Sequence, residues 1–129
     1  MIWKPGSFST VAIGAALAVA AVMPALADTY PVSGRWGITD GSQKGRIDCA
    51  GKRVITFSGD QRFDTGGGVP GYHNESVQTE GTGRWRIVDL FTTGQIRAGR
   101  TTLMLTKIDD YRITLDLQGD STLALQRCK

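Results

Sequence analysis

The sequence predicts an all-β fold, a small antiparallel up-and-down barrel of about seven to nine strands, preceded by a helical signal peptide. Beyond residue 27, apolar and polar residues alternate with a period of two in run after run, and no stretch has an amphipathic helical period of useful length. Two of the 17 glycines lie before residue 28, so 15 remain in a segment of 102 residues, a share typical of many turns. An open sheet of this size would leave unpaired edges and an uncovered apolar face, so the strands must close on themselves or form a sandwich, and we expect a barrel or flattened barrel.

The first 27 residues have the layout of a secretory signal peptide. Lys4 precedes an apolar run from Val11 to Val22, and the small-x-small segment that ends at Ala27 suits signal peptidase. The run is shorter than the roughly 18 residues that a membrane-spanning helix needs, so cleavage is preferred over an uncleaved anchor. The sequence therefore predicts a secretory signal peptide at 1–27, a single β-barrel domain at 28–129, no stable membrane anchor after cleavage, and a periplasmic or secreted protein.

The alternation predicts seven strands in the mature chain. They are Gly34–Thr39, Arg53–Ser58, Gly71–Gln78, Arg84–Thr93, Thr101–Ile108, Tyr111–Gln118 and Thr122–Cys128, with two shorter candidates at Arg46–Cys49 and Gln61–Phe63. Tight turns at Asp109-Asp110 and Gly119-Asp120 separate the last three strands. Every second residue of these strands is predicted to share the buried face: Leu103, Leu105, Ile113, Leu115, Leu117, Leu123 and Leu125.

Cys49 and Cys128 form an even pair in a chain expected to enter an oxidising compartment, and this predicts a disulfide bond. Closing a loop of about 80 residues would stabilise the domain by roughly 4 to 5 kcal/mol in the chain-entropy model. Two free thiols are the alternative. The chain holds one histidine and no Cys-x-x-Cys, which favours neither a structural zinc site nor a redox centre, so no cofactor or metal is predicted.

A Gly-x-Trp, Gly34-Arg35-Trp36, opens the first predicted strand, and Arg127 lies on the inward-facing alternation of the last strand. This combination resembles the calycin pattern of lipocalins, avidins and bacterial periplasmic metalloprotease inhibitors. The resemblance implies a barrel in which Trp36 closes one end and Arg127 lies across its indole. A guanidinium stacked on an indole can still donate to carbonyl groups at the rim, which suits it to sealing a barrel.

Within that group, the metalloprotease inhibitors are the most similar in length, signal peptide and single disulfide. The resemblance implies a protein-binding function in which an N-terminal arm, here Asp28–Val32, enters a protease cleft. The arm begins with an acid rather than a small residue, and the two cysteines are farther apart than the pair of that family. A barrel that binds a small ligand or a protein at its rim is therefore the leading interpretation, and the alternative is a protease inhibitor or other protein-binding barrel that uses its N-terminal arm.

The segment from Gln61 to Asn74 is the richest in candidate binding groups. Three consecutive glycines, Gly66 to Gly68, are costly to order unless the backbone approaches another group closely or adopts positive φ, and their amides can form an anion cradle. One interpretation is a plain loop at the barrel mouth. The other is a ligand loop with one rim lined by Arg62, Asp64, Tyr72, His73 and Asn74. Another loop carries Arg97 and Arg100, which either face an anionic ligand or serve solubility alone.

Asp64-Thr65-Gly66 resembles the triplet of aspartic proteases, in which the aspartate shares a proton with its twin across a dimer axis. The flanking residues depart from that pattern, and the apolar-apolar-Gly segment expected behind the active loop is missing. The chain also lacks a Gly-x-Ser-x-Gly elbow, and its histidine, His73, has no partner at a metal-binding spacing. We therefore predict a non-enzymatic protein without catalytic residues, with hydrolysis by Asp64 as a remote alternative.

The charge argues against nucleic acid as a partner. The formal net charge of +3 falls to near +2 once Lys4 is removed, and no basic run is present. Arg84 and Arg86 are expected on the outer face of a strand whose Trp85 and Ile87 point inward. The sequence thus predicts an exported small β-barrel that binds an unknown small ligand or a periplasmic protein.

Overall fold

Eight strands pair in chain order into a closed antiparallel barrel. The computed structural model describes residues 29–119 and 121–129. The strands are β1 (Gly34–Ile38), β2 (Val54–Ser58), β3 (Gln61–Asp64), β4 (Tyr72–Gly81), β5 (Arg84–Phe91), β6 (Gly99–Lys107), β7 (Arg112–Leu117) and β8 (Thr122–Arg127). The predicted all-β barrel is confirmed. The predicted signal peptide lies outside the described residues, which include no helix of the length and apolarity that crossing a membrane requires.

All seven predicted strands are present with small shifts at their ends, and the shorter candidate Gln61–Phe63 forms most of β3. The prediction of a strand at Arg46–Cys49 is wrong. That segment crosses the outer surface of the barrel, where Ile47 forms one isolated parallel bridge to Cys128. Ile47 and Cys49 pack there against Val54 and Cys128, so their alternation reflects a covered outer face rather than a strand in the sheet.

Alternate side chains of the strands fill the barrel with an apolar core, as the period of two requires. Its largest buried members are Trp36, Ile55, Phe57, Ile87, Leu103, Leu105, Ile113, Leu115 and Leu125. Among the residues predicted to share the buried face of the last three strands, Leu117 and Leu123 are half-buried and pack against this core, and the others belong to it. Full burial of a leucine, isoleucine or phenylalanine side chain stabilises the folded state by roughly 1.5 to 3 kcal/mol.

Because the strands alternate in direction, successive connections lie at opposite ends of the barrel. We call the end with the β1–β2, β3–β4, β5–β6 and β7–β8 connections the loop end. At the opposite end, the arm end, the described chain enters at Thr29 and leaves at Lys129. The connections at the arm end are short, and positive φ angles of 62° at Gly59 and 70° at Gly83 suit their tight turns. The β1–β2 connection is long and folds back over the outer face of the barrel.

Cys49 and Cys128 form a disulfide, as predicted, with their Cα atoms 5.6 Å apart and a sequence separation of 79. The bond fastens the β1–β2 connection to the end of β8. Gly37 of β1 lies directly beneath it, and a Cβ atom there would come within 2.5 Å of the Cys49 sulfur. The disulfide indicates an oxidising compartment.

Trp36 and Arg127 lie together near the arm end. The guanidinium carbon of Arg127 is 4.3 Å from the centroid of the Trp36 ring. Arg127 Nη1 donates to the Ser33 carbonyl oxygen at 3.1 Å, and its Nε donates to the Asp110 carbonyl oxygen at 3.3 Å. Trp36 Nε1 donates to the same Ser33 oxygen at 3.0 Å. The closed eight-stranded barrel is compatible with a lipocalin-like fold.

Candidate functional site

A cleft of about 500 Å³ opens on the barrel wall next to the β3–β4 and β5–β6 connections. We call it the β3–β5 cleft. Its apolar lining residues are Phe63, Pro70, Tyr72, Leu90 and Phe91, and its polar ones include Gln61, His73, Thr92 and Arg97. A volume in the range of roughly 300 to 1,000 Å³, a mostly apolar lining and a few polar groups are typical of sites for small molecules.

Two lining side chains expose a large apolar surface on the outer face of the barrel. Phe63 is 43% exposed and Leu90 is 38% exposed. The strand register places His73 opposite both Gln61 and Leu90, and Phe63 follows Gln61 by two residues on β3, so all four share the outer face. Large apolar side chains gathered at one place mark a binding surface more often than isolated ones do.

Tyr72 and Phe91 form an aromatic wall on the inner side of the cleft, because Tyr72 pairs with the inward-facing Arg62 and Phe91 follows the inward-facing Asp89 by two residues. Their rings meet edge to face with centroids 5.6 Å apart. The Arg62 guanidinium carbon lies 3.8 Å from the centroid of the Tyr72 ring. Gly99 lets the Phe91 ring lie against the β6 backbone, because a Cβ atom at Gly99 would overlap that ring. These contacts hold both rings in place before any ligand arrives.

The structure separates the five residues that the sequence predicts as ligand contacts. Tyr72 and His73 line the β3–β5 cleft from opposite faces of β4, because Tyr72 pairs with Arg62 on the inner face and His73 lies on the outer face. Arg62, Asp64 and Asn74 face the inside of the barrel and are each at most 7% exposed. The five side chains therefore do not share one rim.

Arg62 forms a buried ion pair with Asp89 of β5. Its Nε donates to Asp89 Oδ2 at 2.8 Å, and the two side chains are 3% and 0% exposed. Tyr30 Oη donates to Asp89 Oδ1 at 2.8 Å, and Asn74 Nδ2 donates to the same oxygen at 3.2 Å. Both carboxylate oxygens are thus bonded, as a buried charge requires. Burial, and then the adjacent Asp89 charge, raise the pKa of Tyr30, so this phenol remains a donor.

Asp64 is bound to Arg53 through both carboxylate oxygens, at 2.9 Å from Nε and 2.7 Å from Nη2. The Gly66 N–H donates to Asp64 Oδ1 at 2.9 Å. Burial alone would raise the pKa of Asp64, but the hydrogen bonds from Arg53 and Gly66 and the Arg53 charge together lower it below its usual value. A carboxylate held as an anion in this way is unsuited to the shared proton that the aspartic-protease triplet uses.

The N-terminal arm lies against the barrel from Tyr30 onward. Tyr30 is buried, its N–H donates to the Gly59 carbonyl oxygen at 3.1 Å, and its ring meets Phe57 edge to face at 4.9 Å. Pro31 and Val32 line a second cleft, of about 420 Å³, beside Trp36 and Arg127 at the arm end. The first residue of the arm predicted from the sequence, Asp28, lies outside the described residues.

Sequence reasoning overlooked the residues that give the cleft its apolar character and those that support it from inside. Phe63 and Leu90 were not among the predicted contacts, and neither Asp89 nor Tyr30 was assigned to a polar cluster. One signal was available for Phe63, because it alternates with two charged residues, Arg62 and Asp64, on a short strand. Either the phenylalanine or the charges had to face the barrel interior.

No metal centre in the part of the chain that the structure describes, and no comparison with known proteins, indicates a function. Within residues 29–119 and 121–129, no group of three or more His, Cys, Asp and Glu side chains is arranged to hold a metal ion. Comparison with protein-family models, curated proteins and solved structures finds no match. Function is therefore inferred from the chemistry of the cleft.

Proposed function

We propose that the chain is an exported binding protein that holds a small apolar ligand in the β3–β5 cleft. The observation that carries the proposal is the lining of this cleft, which has exposed Phe63 and Leu90 on the outer face of the sheet and the fixed rings of Tyr72 and Phe91 on its inner side. Contact between water and such an apolar surface is unfavourable. A ligand that covers the surface is therefore stabilised in proportion to the apolar area removed from solvent.

Two features support export. The first 27 residues match a secretory signal peptide, and the Cys49–Cys128 disulfide requires oxidation of both thiols. Together they support a periplasmic or secreted location for the working protein.

Rigid support behind the cleft favours a preformed binding site. The ion pair between Arg62 and Asp89 lies inside the barrel and joins β3 to β5, the two strands that carry Phe63 and Leu90. Preformed sites bind with less loss of conformational entropy than sites that must be ordered first. Hydrolysis by Asp64 receives little support, because Arg53 already occupies both of its carboxylate oxygens.

Inhibition of a protease through the arm, the other use of the barrel that the sequence suggested, is less well supported. An arm that inserts residues 28–32 into a protease would have to withdraw Tyr30 from its place against Phe57 and break its hydrogen bond to Asp89. This would leave the buried Asp89 carboxylate with one donor fewer, which is costly.

The proposal is tested by titrating the mature protein with N-phenyl-1-naphthylamine, a neutral apolar probe whose fluorescence rises in apolar surroundings. We expect saturable binding to the wild type. Phe63→Ser and Leu90→Ser should each weaken it about fivefold or more, because each removes apolar contact worth roughly 1 kcal/mol or more.

Ile108→Ser is the matched control. Ile108 is 59% exposed and follows β6 in the turn at the arm end, away from the cleft. This variant should bind the probe as the wild type does. Absence of saturable binding, or an equal loss in Ile108→Ser, would overturn the proposal.

A further inference from the structure

We infer that the ligand of the β3–β5 cleft is an amphipathic anion, with its apolar body against Phe63, Tyr72 and Leu90 and its carboxylate, sulfonate or phosphate group against Arg97. This inference rests on the proposed function and adds to it the chemical class of the ligand. It follows from the charges around the cleft.

The cleft carries positive charge and no negative charge of its own. Arg97 lines it, His73 adds a second nitrogen-bearing side chain, and none of its lining residues is acidic. A cationic ligand would meet Arg97 with no carboxylate to compensate it, whereas an anionic ligand would meet a complementary charge.

The acidic side chains on the neighbouring strands are already paired. Each carboxylate has an arginine within salt-bridge distance: Asp64 with Arg53 at 2.7 Å, Glu75 with Arg100 at 2.7 Å, Glu80 with Arg86 at 3.1 Å, and Asp89 with Arg62 at 2.8 Å. Their charges are therefore largely cancelled locally and do not offset the charge of Arg97.

Arg97 itself is available to a ligand. It lies in the β5–β6 connection and is exposed, and it forms no salt bridge with any residue in the described part of the chain. A guanidinium presents several N–H donors in one plane, which suits it to contact two oxygens of an anion at once. Arg97 is followed by Ala98 and Gly99, and Gly99 contacts the Phe91 ring. Arg97 lines the same cleft as Phe63 and Leu90, so an amphipathic ligand there can reach both a cation and an apolar surface.

The test compares two probes that share one skeleton. 8-Anilinonaphthalene-1-sulfonate carries a sulfonate, and N-phenyl-1-naphthylamine is the same framework without it. We expect the sulfonate to bind the wild type more tightly than the neutral probe. Arg97→Gln should weaken the sulfonate about tenfold and leave the neutral probe within about twofold, since a hydrogen-bonded contact between ions is worth about one decade in affinity or more.

Arg46→Gln is the matched control, because it removes the same charge from a residue that lines the arm-end cleft instead. It should change the affinity of neither probe by more than about twofold. A second variant, Arg97→Lys, keeps the charge and should retain part of the preference for the sulfonate.

The outcomes separate the inference from the proposed function. If both probes bind with equal affinity and Arg97→Gln weakens neither, while Phe63→Ser weakens both, the cleft is an apolar site without an anion contact and this inference is overturned alone. If neither probe shows saturable binding that Phe63→Ser reduces, the proposed function fails and the inference fails with it. Equal losses in Arg97→Gln and Arg46→Gln would assign the effect to overall charge and would also overturn the inference.

Discussion

Tyr30 and Asp89 are 59 residues apart in the chain and meet inside the barrel, where the phenol oxygen of Tyr30 lies 2.8 Å from Asp89 Oδ1. This hydrogen bond attaches the arm that precedes β1 to strand β5. Asp89 also binds Arg62, so a single carboxylate joins the arm, β3 and β5. The stability of the barrel and the shape of its cleft both depend on this group.

Tyr30→Phe should lower the free energy of unfolding by about 1 to 2 kcal/mol, because it removes a hydrogen bond to an ionised group and keeps the ring contact with Phe57. Urea denaturation followed by tryptophan fluorescence measures the change. Tyr111→Phe, at a half-exposed tyrosine in the turn after β6, serves as the control and should remain within about 0.5 kcal/mol of the wild type. A Tyr30→Phe protein as stable as the wild type would contradict the role given to this bond.

Asp89→Ala should destabilise the protein by about 3 to 5 kcal/mol, because it leaves the Arg62 guanidinium buried without its counter-ion. The double variant Arg62→Ala with Asp89→Ala should lose less than the sum of the two single losses. Glu75→Ala, which breaks the exposed pair with Arg100, should leave the unfolding midpoint close to that of the wild type. Additive losses at Arg62 and Asp89 would contradict the coupling.

Reduction of the Cys49–Cys128 disulfide should lower the melting temperature sharply. Replacing both cysteines with serine should cost about 2 to 5 kcal/mol, since the cross-link restricts a long loop of the unfolded chain. Calorimetry with and without a reductant measures the effect, and the reductant should not change the melting temperature of the double serine variant. Equal stability of the oxidised and reduced wild type would refute this prediction.

Asp64 should make the free energy of unfolding depend on pH in the acidic range. Its pKa is lowered in the folded state, so its contribution is fully present above the pKa of an unfolded aspartate, about 3.9, and is lost as the pH falls through the lower folded value. The free energy of unfolding of wild type minus that of Asp64→Asn should therefore be constant from pH 7 to about 5 and shrink below about pH 4. A difference that grew on acidification would show the opposite sign and refute the assignment.

The strands and the disulfide could be predicted from the sequence because their signals are local or compositional. Alternation fixes which leucines of β6, β7 and β8 face inward, and an even pair of cysteines in an exported chain predicts the bond. The segment Arg46–Cys49 shows where alternation alone gives a wrong prediction. Its alternating Ile47 and Cys49 are buried against the outside of the barrel, and a pattern of burial alone does not distinguish that from a strand.

The site was harder to predict because β3 departs from the rule that charged side chains face solvent and apolar side chains face the core. Its two charged residues, Arg62 and Asp64, face inward, and its phenylalanine, Phe63, faces solvent. This orientation is tolerated only because partners elsewhere in the sequence neutralise the charges, Asp89 on β5 and Arg53 before β2. A strand of four residues carries too little pattern to reveal which face is buried, so the ligand residues predicted around it are divided between the core and the cleft.

Both ends of the described chain leave the barrel at the arm end, whereas the cleft adjoins connections at the loop end. An affinity tag or a surface linker attached after Lys129 would therefore stand clear of the cleft, and immobilised protein would present its candidate site to the solution. Insertions in the β3–β4 or β5–β6 connection, in contrast, would obstruct it. The geometry recommends C-terminal tethering for ligand screening by surface plasmon resonance.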